Sequence, residues 1–413
     1  MSILPESTKI LVIGGGPAGS TAATLLAREG FDVTLLERDV FPRYHIGESL
    51  LPSMLQVFDL LGVREKIEAH GFQRKPGVNL QWRSEQWTLN FGELNGSDTY
   101  TYQVDRDQFD QLLLDHAKSQ GVKVFEGFEI RNISFDGDRP VSATWLQKVG
   151  GDETGNIHFD YLIDASGRAG IMSTRYLHNR KQHHTFQNLA IWGYWKGAKR
   201  KPSNFQGNFD GALTIGTIPE GWLWAIPLAN DRVSVGVVMH KSIYKEKKEN
   251  TSLQDIYTQA IADCPLIKDM MAPGELISKV KVDQDYSYTA DRFSGSGYYL
   301  LGDAACFLDP LLSSGILLAT YSALLAAASI SSLLRGEIEE EQAINFFDKS
   351  YRHAYLRFMV FVASFYDKNR TRKDLLSEAE LISRHDSKAS DLKQAFLNLV
   401  SGFEDMSDAQ EAI

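Results

Sequence analysis

The chain has 413 residues, of which 43% are hydrophobic and 23% charged, and its formal net charge is −10. The length suggests two or three globular domains, and the acidic balance disfavours nucleic acid and membrane surfaces as partners. Cys264 and Cys306 have neither metal-ligand spacing nor a CxxC partner, so we expect no metal site and a cytoplasmic location. His183 and His184 also lack partners at metal-ligand spacing and are expected at the surface.

A glycine-rich turn follows the first apolar run. Gly14, Gly16 and Gly19 form the pattern Gly-x-Gly-x-x-Gly, and Glu37 ends a second apolar run 37 − 14 = 23 residues after the first glycine. The glycines permit a tight turn, the approach of a pyrophosphate and close helix–strand packing, while the acid accepts hydrogen bonds from ribose. Residues 9–36 are therefore predicted to form a strand–helix–strand unit that binds a dinucleotide.

Two later turns have residues suited to a bound nucleotide. Asp164 and Gly167 lie in an Asp-Ala-Ser-Gly turn after a short apolar strand, where small residues let the backbone pass close to a ligand. Asp303 follows Gly302 and is placed to accept hydrogen bonds from a polyol chain. Each turn alone also suits an ordinary loop, but three such segments in this order predict FAD as the cofactor.

Residues 309–316 introduce a long apolar segment. The run Asp-Pro-Leu-Leu-Ser-Ser-Gly-Ile predicts a helix start whose N–H groups face an anion. The apolar residues 315–334 are rich in small side chains and have no basic flank before them. We therefore predict a buried helix here and not a membrane span.

The ordered nucleotide segments resemble the FAD-dependent monooxygenase superfamily of the aromatic-hydroxylase type over most of residues 8–330. Trp222, Trp224, Ile226 and Pro227 also resemble the W-x-W-x-I-P signature of the flavin-dependent halogenases. Residues 41–49 and 309–316 resemble that family too. The spacing of the tryptophans alone also fits two same-face side chains in an ordinary core strand.

The resemblance implies site residues. Lys75, in the Phe-x-x-Lys-x-Gly context of residues 72–77, corresponds to the essential lysine of the halogenases. Trp222 and Trp224 are implied to keep an aromatic substrate away from the flavin, and the N–H groups of Ser314 and Gly315 to bind halide. Glu48 is interpreted as a cofactor-positioning acid. The implied FAD-binding residues are Gly14, Gly16, Ala18, Gly19, Glu37, Arg38, Glu48, Ser49, Arg106, Asp164, Gly167, Asp303, Pro310, Gly315 and Ile316.

The implied activity is an FADH2-dependent halogenase of secondary metabolism. With O2 and chloride or bromide it makes hypohalous acid, which Lys75 holds by a hydrogen bond or as a haloamine; desolvation lowers the pKa of such a lysine. The sequence has no separate NAD(P)H fingerprint, so a separate NAD(P)H flavin reductase is expected as partner. Tryptophan halogenases carry a glutamate where this chain has Leu312. The resemblance is therefore to the branch acting on phenols, pyrroles or carrier-tethered aromatic groups, and the deprotonating base stays open.

Two other functions remain at this point. One is an FAD-dependent monooxygenase, such as a hydroxylase or a polyprenyl-reductase-like enzyme, without halide chemistry. The other is a flavin-binding redox partner without turnover. Neither function needs Lys75 together with the tryptophan motif, so these residues favour the halogenase.

The predicted fold is α/β with a discontinuous, Rossmann-like FAD-binding domain. Its ranges are 1–72, 103–185 and 285–335; a mixed β-sheet substrate domain takes residues 73–102 and 186–284, and a helical C-terminal region residues 336–413. Residues 107–120 and 251–270 have helical spacing. Residues 351–366 are aromatic and amphipathic, which fits a core helix, with a lid or carrier-docking face as the alternative.

Overall fold

The computed structural model describes residues 4–95, 99–203, 205, 209–283, 286–367 and 401–402. The strands are β1 Ser7–Ile13, β2 Val33–Glu37, β3 Gln73–Lys75, β4 Gly77–Trp82, β5 Glu85–Asn90, β6 Thr101–Gln103, β7 Lys123–Glu126, β8 Phe128–Asp136, β9 Arg139–Gln147, β10 Thr154–Asp164, β11 Arg180–Lys196, β12 Leu213–Ile218, β13 Gly221–Leu228, β14 Arg232–His240, β15 Glu275–Leu276, β16 Lys281–Asp283, β17 Tyr286–Ala290, β18 Ser294–Gly295, β19 Tyr298–Leu300 and β20 Cys306–Phe307.

Ten α-helices lie among the described residues. They are α1 Pro17–Arg28, α2 Met54–Leu61, α3 Arg64–His70, α4 Gly92–Asn95, α5 Arg106–Ser119, α6 Lys241–Lys248, α7 Leu253–Ala262, α8 Pro265–Met271, α9 Gly315–Leu334 and α10 Glu340–Tyr366. Short turns of 3₁₀-helix occupy Gly167–Ala169, Gly302–Ala304 and Pro310–Leu312, and a π-helical turn occupies Met172–Tyr176.

The first sheet contains the predicted strand–helix–strand unit. Its order is β18-β19-β10-β1-β2-β7, and the five strands from β19 to β7 are parallel. The hairpin β8–β9 extends it through an antiparallel pairing with β10. Ile10, Leu11 and Val12 are completely buried, as expected for a parallel strand in the middle of an α/β fold. The predicted α/β, Rossmann-like fold is therefore confirmed.

The second sheet is mixed and runs in the order β20-β17-β11-β14-β13-β12-β4-β5. One face packs on helices α6 to α8. The opposite face presents Trp222 and Trp224 to Leu311 and to the end of α10. This sheet includes β17, β20 and the first residues of β11. The domain ranges predicted from the sequence place these residues in the FAD-binding domain. The domain boundaries stay a prediction.

Helix α9 is a core helix. By length and composition alone it qualifies as a membrane span, but 78% of its most apolar window is buried inside the protein. It packs against α1 and α10, and Ala323, Leu324 and Ala326 have no exposed surface. The prediction of a buried helix is confirmed.

Helix α10 joins the two sheets. Its first part buries Tyr351, Tyr355 and Phe358 in the core around the first sheet, and its end buries Phe361 and Phe365 against the second. The core interpretation of residues 351–366 is thus confirmed. The predicted helical region beyond residue 367 lies outside the described residues except for residues 401–402.

The helical prediction for residues 251–270 is confirmed, and the segment divides into two helices because Pro265 lacks an N–H and disfavours helical backbone at Cys264. One local prediction differs from the structure. His183, expected at the surface, is half-buried, with Nε2 2.5 Å from the hydroxyl of Tyr355 on α10. Cys264 and Cys306 are both buried free thiols.

Candidate active site

Close backbone contacts explain two glycines of the first motif. Gly14 has φ +105°, and a Cβ there would lie 2.3 Å from the carbonyl oxygen of Ala165. A Cβ at Gly19 would lie 1.9 Å from the carbonyl oxygen of Gly14, which would push α1 away from β1. At Gly16 the nearest contact is a guanidinium nitrogen of Arg43 at 3.4 Å. The backbone at the start of α1 is therefore open to a phosphate.

Glu37 is buried and holds the same turn. Its Oε2 accepts a hydrogen bond from the backbone N–H of Gly15 at 2.6 Å, and its Oε1 accepts one from Asp39 at 2.9 Å. The acid at the end of β2 thus fixes the shape of the glycine turn. Its contact with ribose hydroxyls stays a prediction.

Asp164 and Gly302 shape the second and third segments. The Asp164 carboxylate accepts hydrogen bonds from the N–H groups of Ser166 at 3.0 Å and Met172 at 2.7 Å, and burial raises its pKa. Gly302 has φ +52°, and a Cβ there would lie 3.1 Å from the side chain of Ala319 on α9. The second turn is therefore held by the Asp164 carboxylate, and the third turn needs glycine at position 302.

Arg180 joins these two segments and was not predicted. Its guanidinium donates to the carbonyl oxygen of Arg168 at 2.7 Å and to those of Asp303 at 3.3 Å and Ala304 at 3.4 Å. It also lies 4.0 Å from the centre of the Tyr288 ring. A single arginine early in a strand has no sequence pattern that would indicate this role.

Asp110 organises two arginines beside the phosphate turn. Arg106 Nε donates to it at 2.8 Å and Arg43 Nη1 at 2.9 Å, and these guanidinium groups lower the pKa of the buried carboxyl. Arg106 also donates to the carbonyl oxygens of Ile46 at 2.9 Å and Gly47 at 3.2 Å. Arg106, a predicted cofactor residue, therefore holds a loop. Arg43 was missed, although its place in the halogenase-like segment 41–49 was a signal.

The three segments fit FAD. Their convergence gives open backbone N–H groups at a helix start, two buried acids and close contacts that only glycine permits. The other predicted cofactor residues vary in exposure: Ala18, Ser49 and Ile316 are buried, Asp303 and Gly167 are half-buried, and Arg38, Pro310 and Gly315 are exposed. Their contacts with the cofactor stay predictions.

Lys75 is completely buried at the end of β3. Its Nζ donates to the carbonyl oxygen of Leu50 at 2.9 Å and lies 5.4 Å from the centre of the Phe91 ring. Burial lowers the pKa of the amine to about 7. A large share of the molecules therefore carries a neutral amine at neutral pH.

Trp222 and Trp224 share one face of β13, with ring centres 6.1 Å apart, and both are buried. The Trp222 indole donates to the hydroxyl of Tyr366 at 2.7 Å, and that hydroxyl donates to Asp309 at 3.0 Å. The motif is thereby linked to the end of α10 and to the turn before α9. The Trp224 ring covers Gly236, where a Cβ would lie 2.2 Å from the ring.

The turn before α9 brings the predicted halide residues to the start of a helix. Asp309 accepts a hydrogen bond from the N–H of Leu311 at 3.0 Å, which fixes the turn. Ser313 has φ +55°, an uncommon conformation for a residue with a side chain. Ser314 is buried and Gly315 is exposed, with no atom within 4 Å of a Cβ built there. The start of α9 is therefore accessible at Gly315.

Glu48 is another buried titratable group. Its Oε1 accepts a hydrogen bond from the Tyr194 hydroxyl of β11 at 2.8 Å. Burial raises the pKa of the carboxyl to about 7, and the neighbouring hydroxyl groups of Ser234 and Tyr194 oppose the rise. Glu48 contacts the second sheet, which the sequence did not indicate. Among the described residues, no group of three His, Cys, Asp or Glu side chains is arranged to hold a metal ion.

The parallel sheet with its glycine cradle, together with a buried lysine on the separate two-stranded sheet β3–β6, defines an FAD-binding protein. The sequence matches the family described as FAD binding domain over residues 7–344. It is 47% identical over 415 residues to a tryptophan 2-halogenase of Chondromyces crocatus, covering 99% of this chain and 78% of that relative. It is 41% identical to the flavin-dependent halogenase gsfI of Penicillium aethiopicum, covering 87% and 71%.

The chain is also similar to solved structures of halogenases. The myxobacterial chondrochloren halogenase has a TM-score of 0.82 at 32% identity, covering 99% of this chain and 98% of that one. The flavin-dependent brominase Bmp2 has a TM-score of 0.82 at 25% identity, covering 96% and 94%. The chain belongs to the flavin-dependent halogenases and is an FAD-dependent oxidoreductase. The predicted family is confirmed, and the hydroxylase, reductase and non-catalytic alternatives are set aside.

Proposed function

We propose that this halogenase uses reduced FAD, O2 and chloride or bromide to make hypohalous acid, and halogenates an electron-rich aromatic substrate in secondary metabolism. The substrate is phenolic or pyrrolic and either free or tethered to a carrier protein. Complete burial of Lys75 is the observation that carries the proposal. An ordinary lysine on a short strand would be exposed, because burial of its charge is costly.

Lys75 receives the oxidant. A neutral amine accepts a hydrogen bond from hypohalous acid, or reacts with it to give a haloamine and water. The haloamine then transfers its halogen to the arene, and the amine regains a proton. Both routes need the unprotonated amine, and the lowered pKa of Lys75 provides it at neutral pH.

The glycine cradle holds the cofactor. The backbone N–H groups at the start of α1, from Gly16 onward, would bind its pyrophosphate, Glu37 its ribose, and the Asp164 and Asp303 turns the remainder. Bound reduced FAD supplies the activation of O2. A separate NAD(P)H flavin reductase delivers the reduced FAD, because the sequence has no second dinucleotide fingerprint. The expected location of both proteins is the cytoplasm.

The start of α9 binds the halide. The N–H groups of Ser314 and Gly315 are not used by the helix itself and lie at its positive end. Trp222 and Trp224 separate the cofactor from the aromatic substrate, so that only the small oxidant passes between them. Their rings are fixed by Tyr366 and Gly236, which supports a rigid barrier.

The substrate class follows from Leu312. A leucine cannot accept the proton that leaves the ring carbon, so the substrate must be electron-rich enough to need little assistance. Phenols and pyrroles meet this condition. The relative named as a tryptophan 2-halogenase favours a second candidate, the indole ring of tryptophan.

A substrate panel tests the proposal. Purified protein is given FAD, a flavin reductase, NADH, O2 and bromide, with a phenol, a pyrrole carried on a carrier protein, or tryptophan. A brominated phenol or pyrrole supports the main proposal, and brominated tryptophan alone supports the second candidate. Absence of any carbon–bromine bond, while the protein retains FAD and consumes O2, would contradict both.

A further inference from the structure

A chain of hydroxyl groups connects buried Glu48 to the surface. The Tyr194 hydroxyl lies 2.8 Å from Glu48 Oε1, and the Tyr44 hydroxyl lies 3.0 Å from that of Tyr194. Glu48 is 3% exposed, whereas Tyr44 is 49% exposed. The carboxyl group therefore has a hydrogen-bonded route to solvent through two phenols.

The hydroxyl hydrogen atoms of Tyr44 and Tyr194 both point toward Glu48. An ionised Glu48 only accepts, so the Tyr194 hydroxyl must donate to it. The Tyr194 oxygen is then free to accept, and Tyr44 is the donor in the bond between the two phenols. The Trp192 indole donates to the Tyr44 oxygen at 2.7 Å, which fixes the outer phenol in this orientation.

Glu48, the inner end of this hydroxyl path, lies near the tryptophan motif through Ser234. Ser234 lies opposite Tyr194 in the sheet and accepts from the Trp224 indole at 3.4 Å. Its hydroxyl is near enough to Glu48 to lower the pKa of the carboxyl. Glu48 Oε2 has no hydrogen-bond partner among the residues that the structure describes. Once Oε1 is protonated, rotation of the carboxyl group about its Cγ–Cδ bond brings that proton to this side for onward transfer.

We propose that Tyr44, Tyr194 and Glu48 form a proton-uptake path that supplies the halogenation site from solvent. The proposal rests on the proposed function, because that reaction consumes a proton. The halide enters as an anion and ends as a covalent substituent, while both oxygen atoms of O2 leave as water. The site beside buried Lys75 needs a source for this proton.

The transfer conserves all protons and involves no redox change. Tyr194 gives its hydroxyl proton to Glu48 Oε1, Tyr44 gives its own to the Tyr194 oxygen, and solvent reprotonates Tyr44. The phenols pass the proton together, because burial raises the pKa of both and disfavours a free phenolate.

Other charges face this path. Asp105 raises the pKa of Glu48 and Arg106 lowers it, and Asp105 is paired with Arg232 at 2.6 Å. Lys281 lies with its Nζ 3.2 Å from the centre of the Tyr44 ring, and Asp283 raises the pKa of Tyr44. These charged groups set the proton affinity of Glu48 and of Tyr44, the two ends of the path. Among the described residues, the hydrogen-bonded connection between these ends runs through Tyr194.

The test is the rate at which Glu48 takes up a proton. In full-length protein, with and without FAD, the infrared band of the protonated carboxyl is assigned by its loss in Glu48→Gln. Its relaxation is followed after a pH jump across 7. We expect Tyr194→Phe and the surface variant Tyr44→Phe to relax at least about tenfold more slowly than wild type.

Tyr257→Phe is the matched control. Tyr257 is a completely buried tyrosine that, like Tyr44, accepts from a tryptophan indole, at 2.8 Å, but it donates to a backbone carbonyl. It should relax as wild type does. Unchanged relaxation in both path variants, or equal slowing in Tyr257→Phe, would overturn the path. A protein that never halogenates would contradict the proposed function but leave this relaxation measurable.

Discussion

The Nζ atom of Lys75 lies 2.9 Å from the carbonyl oxygen of Leu50, two residues after Glu48. The buried amine is therefore fixed to the loop that carries the buried acid. The Phe91 ring lies on another side of the amine, at 5.4 Å. This arrangement places a neutral base in apolar surroundings while keeping it oriented by a backbone group.

Removal of the Lys75 amine should abolish halogenation without loss of FAD. Lys75→Met keeps much of the side-chain volume in the core, so we expect a folded protein. The halogenation rate should fall by at least about a hundredfold, because the variant lacks the amine that we propose receives the oxidant. Product mass spectrometry and flavin absorbance measure the two effects. Lys9→Met, at an exposed lysine, is the control, and normal halogenation by Lys75→Met would disprove the assignment.

The same lysine should make stability depend on pH above neutrality. Its folded pKa is about 7, against the usual 10.5, so the unfolded chain binds one more proton between these values. The free energy of unfolding should therefore rise with pH, by about 1.4 kcal/mol per pH unit. Urea unfolding of wild type and Lys75→Met at pH 7.5 to 9.5 (about the middle of the window) measures the difference. Parallel pH profiles would show that the amine is not buried in solution.

Glu48 should give the opposite slope below neutrality. Its pKa is raised from 4.5 to about 7, so the folded protein binds the extra proton between these values. This contribution to stability is present at low pH and is lost as the pH rises through about 7. Glu48→Gln should remove that loss in urea unfolding. An unchanged profile would contradict the raised pKa.

Gly14→Ala should prevent FAD retention. The new Cβ would lie 2.3 Å from a carbonyl oxygen of the Asp164 turn, so two cofactor segments would separate. Gly121→Ala is the matched control, because Gly121 has φ +98° but no atom within 4 Å of the Cβ. Both variants carry the backbone strain of about 1–2 kcal/mol, but only Gly14→Ala should lose flavin absorbance after gel filtration. Equal flavin content in the two variants would refute this account of Gly14.

Gly236→Ala should displace the Trp224 ring. A Cβ there would lie 2.2 Å from the ring, so we expect destabilisation of about 1–3 kcal/mol and slower halogenation. Adding Trp224→Phe to Gly236→Ala removes the clashing part of the indole. This double variant should recover stability but not activity. A double variant no more stable than Gly236→Ala would show that the ring is not the cause.

The local parts of this structure were predictable from sequence. The glycine spacing and Glu37 predicted the first strand–helix–strand unit, because contacts such as Gly14 with Gly19 and Gly15 with Glu37 join residues close along the chain. The assignment of Lys75 as a site residue came from its resemblance to the family. Its burial could not be read from the sequence, since a lysine is normally exposed.

The long-range contacts were not predictable. Trp222 and Tyr366 are 144 residues apart, and no local pattern indicates that an indole and a phenol will meet. Arg180 joins two cofactor turns, and Tyr194 reaches Glu48 across 146 residues. Such pairs depend on how the two sheets pack, which hydrophobic periodicity does not specify.

The most direct test of the central claim is a single mass spectrum of the product. Purified protein with FAD, a flavin reductase, NADH, O2, bromide and a phenol should yield an arene with the bromine isotope pattern, and Lys75→Met should yield none while remaining yellow. An unmodified arene from the wild-type protein, or a brominated one from the variant, would contradict the account.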